Sequence, residues 1–188
     1  MNKNETILTE ENYSKIYAIY FPKLVRFSQT YILSKEDAEN IVQDIFVYLW
    51  EHPMLIESAS NINALLFTIV KNRCIDYLRK RTIKQTQKSS LTDLQKKELQ
   101  FNLYSLQAFD ENNLSNEEIG TIINKAIDSL PKRCREIFIL SRLQGLHHKE
   151  ISYRLNISTN TIEGQIAIAL KKLRKELKQF VPLFIFII

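Results

Sequence analysis

Residues 148–176, HKEISYRLNISTNTIEGQIAIALKKLRKE, constrain the fold more than any other stretch of this chain. They read as a short amphipathic helix, a tight turn and a longer amphipathic helix. Ile151 and Leu155 lie one turn apart on the first helix, and Asn156 and Ile157 make the turn. Ser158 is placed to cap the second helix by accepting from a free backbone N–H near Thr161. Beyond it Ile162, Ile166, Ala169, Leu170, Leu173 and Leu177 keep the 3.6-residue period and predict one buried stripe. A helical hairpin would satisfy this pattern. So would a helix-turn-helix, whose second helix enters the DNA major groove.

Charge favours the second reading. The 188 residues carry a net charge of +5, unevenly spread. Residues 1–60 sum to −4, 61–100 to +6, 101–120 to −4 and 121–188 to +7. Two basic blocks suit two contacts with a polyanion, and the acidic N-terminal block suits a different partner.

Little in the sequence supports metal or redox chemistry. Cys74 and Cys134 are the only cysteines, both inside helical patterns where a small buried residue is the default. His147 and His148 are adjacent and project about 100° apart on a helix, so they make a poor metal pair. No cofactor is expected. The polar start of the chain does not resemble a signal peptide, and a reducing cytoplasm is the expected compartment.

Three glycines and four prolines leave few breakers, and the aliphatic spacing is helical almost throughout, so the chain reads as all-α. Tyr13–Leu33 predicts one helical stretch, kinked or divided at Pro22. Ser34 predicts the cap of a second helix, with Asp37 completing a capping box, that runs to about Glu51 before Pro53. Its inward stripe is Ala38, Ile41, Val42, Ile45, Phe46, Leu49 and Trp50. Its exposed face carries Asn40, Gln43, Asp44 and Glu51. A polar loop, 57–61, leads to a third helix ending near Arg81. Residues 84–120 read by composition as a linker, although Leu91, Leu94, Leu99 and Leu103 permit a weak helix. The expected organisation is a first domain over 10–83, a linker over 84–120, a second domain over 121–179 and an apolar tail, FVPLFIFII, at its end. The tail is far shorter than the roughly 20 apolar residues a membrane span needs.

On the third helix Thr68, Lys71, Asn72, Ile75 and Arg79 fall on one face, with Asp76 positioned to orient the Asn72 amide. An amide among Lys71, Arg73, Arg79, Lys80 and Arg81 suits nucleic acid: cations neutralise phosphates and the amide reads a base edge. A solvated basic face is the simpler alternative. Phe67 and Tyr77 are candidates for stacking on an unpaired base, or for the core.

Four segments in order, DAENIVQDIFVYLWE (37–51), NALLFTIVKNRCIDYLRKR (63–81), LPKRCREIFILSRLQGLHHKEIS (130–152) and ISTNTIEGQIAIALKKLRK (157–175), resemble the two blocks of extracytoplasmic-function (ECF) sigma factors of bacterial RNA polymerase. The style of the last segment is most similar to members from Bacteroidetes-type bacteria. The resemblance covers most of 13–177. It implies two helical domains joined by a flexible linker, no enzymatic activity and no small-molecule substrate. It implies core RNA polymerase and promoter DNA as partners, together with an anti-sigma factor held at the membrane. Asn40, Gln43, Asp44 and Glu51 would dock on the polymerase clamp helices. Lys71, Asn72, Arg73, Asp76, Arg79, Lys80 and Arg81 would melt and hold the minus-ten element. The groove-facing set Ser158, Asn160, Thr161, Glu163, Gly164, Gln165, Ala167, Ile168 and Lys171 would read the minus-thirty-five element. That set holds few long donors for guanine, which departs from the arginine-bearing pattern of many relatives and predicts readout through methyl contact and shape. A stand-alone helix-turn-helix regulator would explain 121–178 but not the acidic helix or residues 63–81. A membrane-peripheral interaction protein would explain only the tail and the charge.

Overall fold

The computed structural model describes residues 9–86, 92–110 and 114–188. All eleven elements in the described residues are helical. The chain divides into two units, Met1–Glu118 and Ile119–Ile188.

The first unit is built on α1 (Glu10–Tyr31), α2 (Lys35–Glu51), the short α3 (Met54–Glu57), α4 (Ile62–Thr86) and α5 (Asp93–Asp110). Pro22 does not divide α1, which runs unbroken to Tyr31. Ser34 caps α2 through a bond from the Asp37 N–H (3.2 Å), as its sequence predicts. The Asp37 carboxylate does not complete a capping box. It accepts instead from the Tyr77 hydroxyl on α4 (2.6 Å) and from Arg81 Nη1 (3.4 Å). The Asn61 side chain caps α4, accepting from the N–H groups of Asn63 and Ala64 at 2.9 and 3.1 Å. The core of this unit stacks Leu24 and Phe27 of α1, Val42, Ile45 and Leu49 of α2, and Leu66, Phe67, Val70 and Leu78 of α4.

Trp50 departs from its expected place. It is 52% exposed, and its ring meets that of Tyr13 in a T-shaped contact (ring centroids 4.9 Å apart). Five residues beyond Ile45 on a 3.6-residue helix, it has rotated past the edge of the stripe.

Part of the expected linker is helical. Its first part, 84–90, has no described side chains, and 87–91 and 111–113 lie outside the described residues. Between them, residues 93–110 form the five-turn helix α5, which packs along α4 and against α1. Leu99, Leu106 and Phe109 supply a buried stripe strong enough to overcome the polar composition. Asn102 Nδ2 donates to the Tyr31 carbonyl at the end of α1 (3.0 Å). Of the leucines read from sequence, Leu99 is buried while Leu94 is exposed.

The second unit takes up most of α6 (Asn116–Asp128), then α7 (Lys132–Phe138), which runs into a π-helical turn at Ile139–Leu143, and α8 (His148–Leu155), α9 (Thr159–Glu176) and α10 (Val181–Ile187). Gly145 stands at φ 72° just past the π turn, a left-handed conformation that glycine adopts without strain. Ile137, Leu140, Ile151, Ile162 and Ile166 form the core that joins α7, the π turn, α8 and α9. The tail forms a helix with a buried core-facing side: Leu183, Phe186 and Ile187 are enclosed, and the Arg174 guanidinium lies 5.3 Å from the Phe184 ring centroid. Among the described residues no helix is long and apolar enough to cross a membrane.

Candidate nucleic-acid interfaces

The α8–turn–α9 segment has helix-turn-helix geometry. Asn156 ends α8 at φ 51°, ψ 51°, the left-handed cap that redirects the chain. Ser152 ties the turn together: its carbonyl accepts from the Ile157 N–H (3.2 Å) and its hydroxyl donates to the Ile157 carbonyl (2.6 Å). Ser158 accepts from the Thr161 N–H (3.1 Å), as the sequence predicts. Two contacts from α7 fix the motif on its support: Arg133 Nη2 donates to the Leu155 carbonyl (3.2 Å), and the Cys134 thiol donates to the Gln165 carbonyl (3.2 Å).

Within the expected groove-reading set, Asn160, Thr161, Glu163, Gly164, Ala167, Ile168 and Lys171 are exposed, and Ile168 is 50% exposed despite its apolar side chain. Gln165 is partly covered. The Ser158 hydroxyl is occupied with its cap and with the Thr161 hydroxyl (2.9 Å). Glu163 Oε1 sits 3.7 Å from His148 Nδ1, so it leans toward α8. A Cβ built on Gly164 would meet nothing within 4 Å. Nothing in the fold therefore demands glycine at that position. Tyr153, on the outer face of α8, is 93% exposed. It was not singled out from the sequence; its place opposite Ile151 on the α8 wheel was the available signal.

The α4 cluster is only partly assembled as expected. Asn72, Arg73, Asp76, Arg79 and Lys80 are exposed, and neither Asn72 nor Lys80 has a side-chain partner among the described residues. Arg73 lies over the Tyr48 ring, 5.8 Å from its centroid. Asp76 approaches Arg79 at 4.0 Å rather than orienting the Asn72 amide. Arg81 bonds the Tyr77 hydroxyl and the Asp37 carboxylate, so it braces α4 against α2 and offers solvent only part of its guanidinium. Tyr77 belongs to this brace. Burial, and next the bond to Asp37, hold its hydroxyl above the usual tyrosine pKa. Phe67 is core.

Lys71 is the clearest correction. It is 3% exposed, with its ammonium 5.8 Å from the Phe109 ring centroid of α5. Ile75, on the same face, is also buried. Of the face expected to meet nucleic acid, Lys71 and Ile75 are therefore enclosed, while Asn72 and Arg79 remain exposed.

On α2, Asn40, Gln43, Asp44 and Glu51 are all exposed, as the sequence predicts. Val47 and Trp50 add large apolar surface to the exposed side of α2, and Met54, at the start of α3, is also exposed. The sequence pattern gave Val47 to the exposed side but hid Trp50, because a tryptophan at the end of an apolar run reads as core.

A two-unit, all-helical chain with a helix-turn-helix in the second unit and an exposed amide–cation cluster in the first has the build of a transcription factor. Residues 16–83 match the family model for Sigma-70 region 2, and residues 120–173 match that for Sigma-70, region 4. The chain is 30% identical to the RNA polymerase sigma factor SigZ of Bacillus subtilis over 80% of each chain. It is 26% identical to the ECF RNA polymerase sigma factor RpoE of Cereibacter sphaeroides over 89% of this chain and 87% of that one. It is 24% identical to the ferric citrate uptake sigma factor FecI of Escherichia coli over 91% and 94%. The chain belongs to the ECF sigma factors of bacterial RNA polymerase.

Proposed function

We propose that three surfaces divide the work of this sigma factor in promoter-specific initiation. The exposed face of α2, Asn40, Gln43, Asp44 and Glu51 with Val47 and Trp50, docks on core polymerase. The α4 surface around Asn72, Arg73 and Lys80 captures the opened minus-ten strand. The exposed face of α9 reads the minus-thirty-five duplex. The observation that carries this reading is Asn72: a solvent-facing amide with no side-chain partner among the described residues, amid cations, on the helix matched by Sigma-70 region 2. Polymerase supplies the chemistry and this chain supplies recognition. It acts in the cytoplasm, under an anti-sigma factor at the membrane, and the style of α9 is similar to that of Bacteroidetes-type members.

The methyl surface of Ala167 and Ile168 suits thymine C5-methyl groups, while Asn160 supports an adenine contact. The preferred minus-thirty-five element is therefore rich in T and A. Run-off transcription with core polymerase on a genomic library tests the whole reading. Asp44→Lys is expected to weaken core binding while leaving helicity intact. Asn72→Ala is expected to bind core normally and to lose about 1–3 kcal/mol of base discrimination at the minus-ten element. Unchanged core affinity in the first variant, or unchanged promoter preference in the second, overturns the corresponding surface.

A further inference from the structure

Holding an unpaired base takes a flat face as well as hydrogen bonds, because stacking supplies affinity that a lone amide does not. The aromatics expected to supply it from α4 are spent elsewhere. Phe67 is fully buried. The Tyr77 hydroxyl is bound to Asp37, and the Arg81 guanidinium lies over the Tyr77 ring, 5.8 Å from its centroid. A third aromatic stands at the rim of the open α4 face, and it comes from α2. Tyr48 is half-buried, and the Arg73 guanidinium of α4 lies over its ring, 5.8 Å from the centroid. Arg73 is the chain neighbour of Asn72 and, like it, is exposed. The ring of His52, one turn further along α2, meets the Tyr48 ring with 4.4 Å between centroids and 32° between planes. His52 Nδ1 lies 2.8 Å from the Tyr48 carbonyl oxygen, which fixes the imidazole in that position. Tyr48 is thus steadied from its own helix and touched from α4 by a cation.

We propose that Tyr48 is a stacking platform for one unpaired base of the opened minus-ten strand, with Arg73 taking the phosphate beside it. The proposal rests on the assignment of α4 to that strand. It adds a residue of α2 to a site otherwise built on α4, and it brings an aromatic face that Asn72 and Lys80 lack.

The relative strengths of the contacts favour this exchange. A guanidinium 5.8 Å from a ring centroid is near the outer limit of a cation–π contact, and at an exposed site such a contact is weak. A base stacked on an aromatic ring is the stronger of the two. Arg73 also gains by moving to the strand, where a phosphate gives it a charge-assisted partner. Every base has a π-face, so Tyr48 adds affinity without choosing sequence, and the choice stays with the Asn72 amide.

The test uses polymerase holoenzyme, a labelled AT-rich single-stranded oligonucleotide, and copies of that oligonucleotide with one abasic site at each position in turn. Tyr48→Leu, which keeps apolar bulk but has no ring, is expected to bind core as wild type and the strand at least about fivefold more weakly. Tyr48→Phe is expected to bind the strand as wild type, since the ring is what the base meets. At one position the abasic site is expected to cost Tyr48→Leu less than it costs wild type, because the stack is already gone. A merely structural role for Tyr48 would leave the two losses additive at every position. Arg73→Ala is expected to flatten the plot of log affinity against log salt by about one unit, and Tyr48→Leu to leave that slope unchanged. Tyr48→Gln takes the place of Tyr48→Leu should the leucine disturb core binding. Strand binding as wild type in Tyr48→Leu, or additive losses at every abasic position, overturns the platform. In either case weaker binding by Asn72→Ala would show that α4 still holds the strand. If Asn72→Ala and Lys80→Ala also bind as wild type, the minus-ten assignment falls, and the platform with it.

Discussion

Gly164 is the residue at which fold and function part most cleanly. It sits inside α9 with open space where a Cβ would stand, and an interior glycine costs a helix roughly 0.5–1 kcal/mol relative to alanine. The free protein thus forgoes stability that nothing in its own packing requires it to forgo. Gly164→Ala is expected to stabilise the second unit by about that amount and to weaken promoter binding, because the added methyl meets the DNA that glycine lets approach. Thermal unfolding paired with binding to a minus-thirty-five duplex checks both halves; tighter or equal binding would place the groove elsewhere on α9. Cys74 gives a residue-scale test of the other unit. Burial pushes its thiol from 9.0 up to about 12, partly offset by the Ser28 hydroxyl 3.6 Å away. Tyr20 is raised from 10.0 to about 12, again by burial first. Both groups ionise earlier in the unfolded chain than in the folded one. Their contribution is therefore intact below about pH 9 and is lost as pH rises toward 12, by about 1.4 kcal/mol per unit for each fully buried group. Melting temperature should fall above pH 9, and Cys74→Ala should flatten the first part of that fall, before the tyrosines join.

At the scale of elements, the Ser158 hydroxyl separates two duties that the sequence assigned to one residue. It was read both as a cap and as part of the DNA-reading set, and in the structure it serves α9 itself. Ser158→Ala is expected to cost about 1 kcal/mol of stability, the usual worth of such a cap, and to lower DNA affinity by no more than the unfolded fraction accounts for. An affinity loss well beyond that in fully folded protein would return Ser158 to the reading set. What could be read from sequence was local. The caps at Ser34 and Ser158, the turn at Asn156 and the stripe from Ile162 to Leu177 depend on neighbours within a few residues, and all four stand. What could not be read depends on distant partners. Lys71 looked like a surface cation because its cover, Phe109, comes 38 residues later in a stretch whose composition spoke for a linker. Asp37 looked like a capping-box member because its partners Tyr77 and Arg81 lie some 40 residues away. The tail offered apolar residues with no periodicity long enough to orient, so its helix and buried side were not predictable.

At the scale of the whole molecule, charge and architecture agree. The basic blocks fall on α4 in the first unit and on α7–α9 in the second, while the acidic block 1–60 contains α2, the surface assigned to polymerase. One chain thus carries two basic blocks that one polyanion could meet. Each phosphate contact adds about one counterion to the salt dependence of binding. Lys80→Ala and Lys171→Ala, one in each unit, are each expected to flatten the plot of log affinity against log salt by about one unit, and the double variant by about two. Titration of promoter binding in polymerase holoenzyme checks this, and a double variant no flatter than either single would mean that the two units do not hold the DNA together. The π turn at Ile139–Leu143 bears on how such a molecule can change over time. A π turn is an α-helical turn that has taken in one extra residue, and here it forms the last turn of the helix begun by α7, with Gln144 as its C-cap. Losing one residue there would relax the turn to ordinary α geometry, with α7 still seated on the Gln165 carbonyl and α8 still following Gly145. The same loss inside α9 would swing every later side chain by about 100° and turn the buried stripe outward. The π turn is therefore a place where the length of the second unit can drift by a residue with the helix-turn-helix behind it left in register.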